Sequence, residues 1–190
     1  MKTLLGLGLT AVLPALLLAQ PVKPGTTVGD FTLAGANPVT FSAAKGSINV
    51  VTFISVQCPV SNAYNDRMKA LYGDYASRGV KFFFVNSNVS EAPSEVEEYA
   101  RSHGFTFPVY KDQDNVVADK FGAEVTPDVF VLDAAGTVVY HGQIDDARNP
   151  ANIKRQSLRV VLEALLAGKP VQVTETKAFG CTIKRVKKPS

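Results

Sequence analysis

The stretch Ile48 to Ile54 is apolar, rich in β-branched residues and too short for an ordinary helix, so it reads as a buried strand. It runs through Ser55-Val56-Gln57 into Cys58-Pro59-Val60-Ser61. Beyond it, Asn62 to Tyr75 places Tyr64, Met68, Leu71 and Tyr75 at helical spacing, and Pro59 suits the first turn. A strand that ends in a cysteine opening a helix puts that thiol ahead of unpaired N–H groups, which favour the thiolate and lower its pKa. The competing reading is a buried cysteine that packs as a small apolar residue. The strand, Cys, Pro, helix context favours reactivity.

The chain of 190 residues is 46% hydrophobic, enough for one globular domain with a sizeable core and too short to call for a second. Met1-Lys2 followed by the Leu- and Ala-rich Thr3 to Ala19 reads as an export signal, with cleavage expected after Ala19. An uncleaved membrane anchor is the alternative, since the stretch is only slightly shorter than a span. Removing it takes away Lys2, leaving 19 basic against 17 acidic residues and a net charge of +2, too little to suggest nucleic acid as a partner. An exported chain meets an oxidising compartment, and the two cysteines, Cys58 and Cys181, are able to pair there. The pair reads equally as a staple or as one state of a redox site. The histidines, His103 and His141, are isolated, so no metal or other cofactor is called for.

Residues 20–29, with Pro21, Pro24 and Gly25, read as an extended linker, and residues 30–168 as the domain. Phe31-Thr32-Leu33 and Val39-Thr40-Phe41 predict a short hairpin. The Cys58 helix should stop near Gly79, and Val80 to Val85 is a second apolar strand, parallel to the first because a helix lies between them. Pro93 and the acidic Glu95 to Ala100 predict a helix with a solvated face, Phe105 to Val109 a short strand, and Asn115 to Phe121 a short helix. Thr126-Pro127 heads the run to Asp133, which a turn at Gly136 joins to Thr137 to Tyr140 as a hairpin. A proline heading a central strand cannot donate to the sheet, and a cis Thr126-Pro127 bond exposing its backbone beside the active site would explain it. Asn149-Pro150 should cap an amphipathic helix carrying Ile153, Leu158, Val161, Leu162 and Leu165, ended by Gly168. Residues 169–190 form an extended basic tail around Cys181.

This order resembles the thioredoxin superfamily over roughly Val28 to Gly168. Phe31-Thr32-Leu33, Cys58-Pro59 and the Thr126-Pro127 to Gly136 segment resemble its alkyl hydroperoxide reductase/thiol-specific antioxidant, or redoxin, branch. Cys58-Pro59-Val60-Ser61, Gly142-Gln143-Ile144-Asp145-Asp146 and Gly180-Cys181-Thr182-Ile183-Lys184 are similar to those of exported peroxiredoxin-like members. The resemblance implies an α/β, thioredoxin-like fold: a central mixed sheet flanked by helices, with a short N-terminal β-hairpin and an extended C-terminal tail. The sequence departs from both parent patterns. Ser61 stands where a thioredoxin C-x-x-C site has its second cysteine, and Thr52 where thioredoxin has a buried acid. Against the peroxiredoxin pattern P-x-x-x-T/S-x-x-C, Ser55 and Cys58 fit but Val51 replaces the proline; Arg67 is the nearest arginine for a peroxide.

Three functions follow. In the first, an extracytoplasmic (periplasmic or secreted) thiol-disulfide oxidoreductase, Cys58 attacks a disulfide, Thr126 and Pro127 hold the substrate backbone, and Cys181 resolves the intermediate with its neighbouring lysines lowering its pKa. Ser55, Pro59 and Ser61 are the active-site neighbours. Its partners are protein disulfides or thiols, or a reducing redox protein. In the second, an antioxidant thiol peroxidase, Cys58 passes through sulfenic acid and Cys181 condenses with it. The third is a non-catalytic binding module with a permanent Cys58–Cys181 bridge, worth roughly 4 kcal/mol in the chain-entropy picture.

Overall fold

The computed structural model describes residues 21–33, 38–42 and 46–187. In chain order its elements are β1 (Phe31–Leu33), β2 (Val39–Phe41), β3 (Asn49–Ile54), α1 (Pro59–Asn62), α2 (Asn65–Tyr75), β4 (Lys81–Asn86), α3 (Pro93–Ser102), β5 (Val109–Lys111), α4 (Val116–Phe121), β6 (Val125–Thr126), β7 (Asp128–Leu132), β8 (Val138–Gly142), α5 (Ser157–Leu166) and β9 (Cys181–Thr182). The apolar run before Cys58 is β3, buried along its whole length in the middle of a sheet ordered β5-β4-β3-β7-β8. β4 pairs parallel with β3 and β5 parallel with β4, while β7 and β8 complete the sheet antiparallel. The sheet is therefore mixed, as expected for a thioredoxin-like fold. β1 and β2 pair antiparallel as the short N-terminal hairpin, whose turn lies outside the described residues, as does the expected signal at 1–19.

Alternation along β3 sends side chains to two cores. Val50 and Ile54 join Phe82 and Phe84 of β4 and Val129 and Val131 of β7 beneath α2 and α5. Val51 and Phe53 join Phe83, Val85, Phe130 and Leu132 on the opposite face, covered by the β1–β2 hairpin and α4. Phe121 and Phe130 pack with ring centroids 5.0 Å apart there. Both faces of β3 are thus closed, which explains a strand with no polar alternation. Residues 21–29 run extended along the second core: the Val22 N–H donates to Phe121 O and the Val28 N–H to Gly136 O, both at 2.9 Å.

Three boundaries differ from expectation. The helix read as continuous from the Cys58 turn is split: α1 stops at Asn62, whose side chain turns back to donate to Val56 O at 2.9 Å, and α2 begins at Asn65. The strand expected at Phe105 to Val109 begins only at Val109, because Pro108 has no N–H for the β4 ladder. The helix expected from Asn149 begins at Ser157, leaving Ile153 outside it. Asn149 caps only a 3-10 turn at Pro150–Asn152, and Asp146 Oδ1 then accepts the Lys154 and Arg155 N–H groups at 2.9 and 3.0 Å, pulling them out of helical bonding.

The tail returns across the molecule. It first pairs with β8, where the His141 N–H donates to Thr174 O and the Thr176 N–H to His141 O, each at 3.0 Å. It then forms β9 against β6, and Ile183 enters the core behind Phe53. Burying Ile183 contributes about 1.5–3 kcal/mol, whereas fixing each tail residue costs about 1–2 kcal/mol. Val171 and Phe179 pack partly buried against the other core, Phe179 with its ring centroid 6.2 Å from that of Tyr64, and polar captures and the sulfur bridge share the load.

Candidate active site

Cys58 caps α1 from an extended conformation (φ −88°, ψ 114°), and the Ser61 N–H points at its sulfur, 3.3 Å away. Pro59 occupies the first turn, where its missing N–H is no loss. Ser61 Oγ accepts the Ser55 N–H at 3.2 Å and so ties the end of β3 to the helix. Cys58 itself is only 2% exposed. Its sulfur is bonded to that of Cys181, with the Cα atoms 5.9 Å apart, inside the usual range for a bridge. Cys181 is the more exposed of the two residues.

The Thr126–Pro127 peptide is cis, as expected. Thr126 O lies 3.4 Å from Cys58 Sγ, a contact able to become a hydrogen bond once the bridge opens and the sulfur carries a proton. The backbone beside the cis bond is not bare: Thr126 pairs with Cys181 and Val125 with Thr182 in the β6–β9 ladder. Gly180 approaches so closely that a Cβ there would sit 1.9 Å from Thr126 O. A partner peptide docking at Thr126 therefore finds that place held by the chain's own tail.

The structure gathers Cys58, Cys181, Pro59, Ser61, Thr126 and Pro127, and turns Ser55 elsewhere. Ser55 Oγ donates to Glu91, a carboxylate only 2% exposed in the loop after β4. Glu91 also accepts from the Val56 N–H at 2.9 Å, the Gln57 N–H at 3.4 Å, Asn88 Nδ2 at 3.2 Å and Asn86 Nδ2. Buried Lys111 donates to Asn86 Oδ1 and Asn88 O at 2.8 and 2.5 Å. Burial pushes the Lys111 pKa down, and the Glu91, Asp112 and Glu95 charges oppose that. Arg67 is spent on structure: its guanidinium donates to both Asp145 oxygens at 2.6 and 2.7 Å and to Ala147 O, and it lies 3.6 Å over the Tyr64 ring.

Two groups escaped the sequence reading. Glu91 follows the polar run Asn86-Ser87-Asn88, and that run was the available signal, since loops after adjacent parallel strands share one end of a sheet. The second is the pair Asp128 and His141, with Nε2 2.9 Å from Oδ1 and both residues buried. Burial pushes the Asp128 carboxyl up, and its bond to His141 pulls it partly back. Asp128 faces Phe53 across the β3–β7 ladder, a strand away from Thr52, where an acid was sought. Of the basic residues near Cys181 in sequence, Lys184 is exposed and Arg185 pairs with Asp119 at 2.9 Å.

Residues 24–141, covering the Cys58 helix, the cis-proline and the sheet between them, match the AhpC/TSA family. The chain belongs to that family. Within it, the protein is 30% identical over 121 residues to the thiol-disulfide oxidoreductase ResA of Geobacillus thermodenitrificans, across 62% of this chain and 67% of that one. A hypothetical protein of Sinorhizobium meliloti has the same fold with a TM-score of 0.79 and 34% identity, over 88% of this chain and 97% of its own. An uncharacterized conserved protein of Geobacillus kaustophilus matches with a TM-score of 0.79 at 32% identity, over 88% and 93%. Both matches extend beyond the family segment, so the architecture shared with them is larger than that segment.

Proposed function

We propose that this redoxin is an extracytoplasmic thiol-disulfide oxidoreductase in which Cys58 and Cys181 are the redox couple. The observation that carries the reading is the Cys58–Cys181 bridge, formed at a helix start and beside a cis-proline in a chain related to ResA. In the reduced protein the Ser61 N–H favours the Cys58 thiolate. That thiolate attacks one sulfur of a substrate disulfide, forming a mixed disulfide and releasing the other substrate sulfur as a thiolate. Cys181, held opposite by the β6–β9 pairing, attacks Cys58 Sγ and releases the second. The substrate gains two electrons and the protein is left bridged.

A dithiol partner reopens the bridge. Its first thiolate attacks Cys181, the more exposed side, and Cys58 leaves as the thiolate; the partner's second thiolate then attacks its own sulfur in the mixed disulfide, releasing Cys181 and leaving the partner bridged. Protein thiols and disulfides are the expected partners. The apolar stretch 1–19 supports export as a signal preceding the segment that docks on the second core, and an oxidising compartment keeps such a couple in use. A peroxidase is less well supported, because Ser55 is committed to Glu91 and Arg67 to Asp145.

The test is the reduction potential of the couple, obtained by equilibrating the chain without residues 1–19 in thiol buffers and counting free thiols by mass. A value between about −270 and −120 mV, the range of catalytic dithiols, is expected. A bridge that stays closed below about −300 mV is a staple and ends the proposal.

A further inference from the structure

Glu91 takes part in neither exchange step, yet it is a buried carboxylate on which donors from two directions converge. Ser55 Oγ and the Val56 and Gln57 N–H groups come from the loop that presents Cys58. Asn86 and Asn88 come from the loop after β4. Asn88 then reaches the tail, its Oδ1 accepting the Lys184 N–H at 2.7 Å while the neighbouring Val89 N–H donates to Lys184 O at 3.1 Å. Lys184 stands three residues beyond Cys181. The tail is held once more at Asn115, whose Oδ1 accepts the Val186 N–H at 2.8 Å. Lys111, bound to Asn86 and Asn88, supplies the positive charge that a buried carboxylate requires. The supports of both cysteines thus meet at one charged group.

We propose that Glu91 is a positioning residue that sets the equilibrium of the Cys58–Cys181 bridge, by anchoring the loop that carries one sulfur and the tail that carries the other on a single carboxylate. The proposal rests on reading the two cysteines as a redox couple. The tendency of two thiols to close a bridge is the effective concentration of one at the other, which depends on how firmly each support is held. A glutamine in place of Glu91 offers one acceptor oxygen and an NH2 group to a ring of donors, so at least one arm of the anchor must open.

The test compares Glu91→Gln with the unsubstituted chain, both without residues 1–19, in glutathione and dithiothreitol buffers, reading the fraction bridged by mass. The constant for bridge closure should fall about tenfold or more, a potential about 30 mV more oxidising. Lys184→Pro removes the backbone N–H that reaches Asn88, while fixing φ there and restricting Ile183 before it, and should move the constant the same way by a smaller factor. Lys184→Ala keeps that N–H and should leave the constant within about twofold, since an exposed side chain adds little. If Glu91→Gln lowers the stability of the bridged and open forms equally, the constant does not move and the proposal is overturned. It is also overturned if the whole change is matched by a change in the Cys58 thiol titration in a Cys181→Ser background, because Glu91 then acts by charge alone. Should Glu91→Gln fail to fold, an unchanged constant in Lys184→Pro overturns the proposal by itself. Dithiothreitol keeps the constant measurable even if glutathione never opens the bridge, an outcome that removes the oxidoreductase reading while still deciding the role of Glu91.

Discussion

The two sulfurs of the site are held in opposite ways. Cys58 is placed by its neighbours in sequence: β3 ends in the core, Pro59 starts α1, and the Ser61 N–H points at the thiol three residues on. Cys181 has no helix and no long strand of its own. It is placed by partners far away in the chain: Thr126 and Val125 through the ladder, Glu124 through the Ile183 N–H, and Asn88 through Lys184. Local structure gives one thiol its environment; long-range capture gives the other its place.

Removing each sulfur in turn is the most forceful way to break this comparison. Cys58→Ser should abolish disulfide exchange altogether. Cys181→Ser should still attack a disulfide once and then stall, its mixed disulfide with Cys58 visible by mass spectrometry. Both lose the bridge and should lose about 2–5 kcal/mol in denaturant titrations under oxidising conditions. Equal activity loss with no trapped intermediate in Cys181→Ser would mean that Cys58 does not act first.

The same asymmetry decides how much could be read from sequence. Strands made of β-branched and aromatic residues, the Cys58 helix start, the β7–β8 hairpin and the cis-proline were legible because neighbouring residues determine them. The helix ends were not. Asp146 draws Lys154 and Arg155 away from α5, and Asn62 folds back on Val56, through side chains whose partners periodicity does not register. Asp128 and His141 looked unrelated along the chain and meet only because β7 and β8 are neighbours. The position of Cys181 depended on where the tail docked, and Glu91 was hidden among acidic residues that face solvent in α3.

A smaller perturbation tests the tail's contact alone. In Gly180→Ala the new methyl would sit 1.9 Å from Thr126 O, so the backbone of β9 must lift or β6 must yield. Overpacking of this kind costs about 1–3 kcal/mol. The loss should appear in the bridged protein and shrink in the Cys181→Ser background, where the tail is free to move aside. Equal losses in both would show that the Gly180 contact belongs to the fold and not to the bridge. Gly142, where a Cβ would lie 2.1 Å from Thr176 Oγ1, is the matching contact at the other end of the tail. It lies away from the ladder that carries Cys181, so its replacement should loosen the tail with a smaller effect on the bridge.

The smallest effect concerns Asp128, directly after the cis-proline. Burial raises its folded-state pKa above the ordinary 3.8, so between that value and the raised one the native state binds more protons than the unfolded chain. The sign follows from linkage: this contribution is fully present below 3.8 and is lost as pH rises through the folded-state value. The slope is at most about 1.4 kcal/mol per pH unit for one proton. Asp128→Asn cannot titrate, and its side-chain oxygen is still able to accept from His141 Nε2. Denaturant titrations of both proteins from pH 4 upward should therefore show the wild-type stability falling relative to the variant. Parallel curves would mean that the bond to His141 offsets the burial of the carboxyl fully. In either case the site side that sequence makes locally also contains a buried carboxyl–imidazole pair that only the sheet could assemble, its carboxyl on the strand that follows the cis bond.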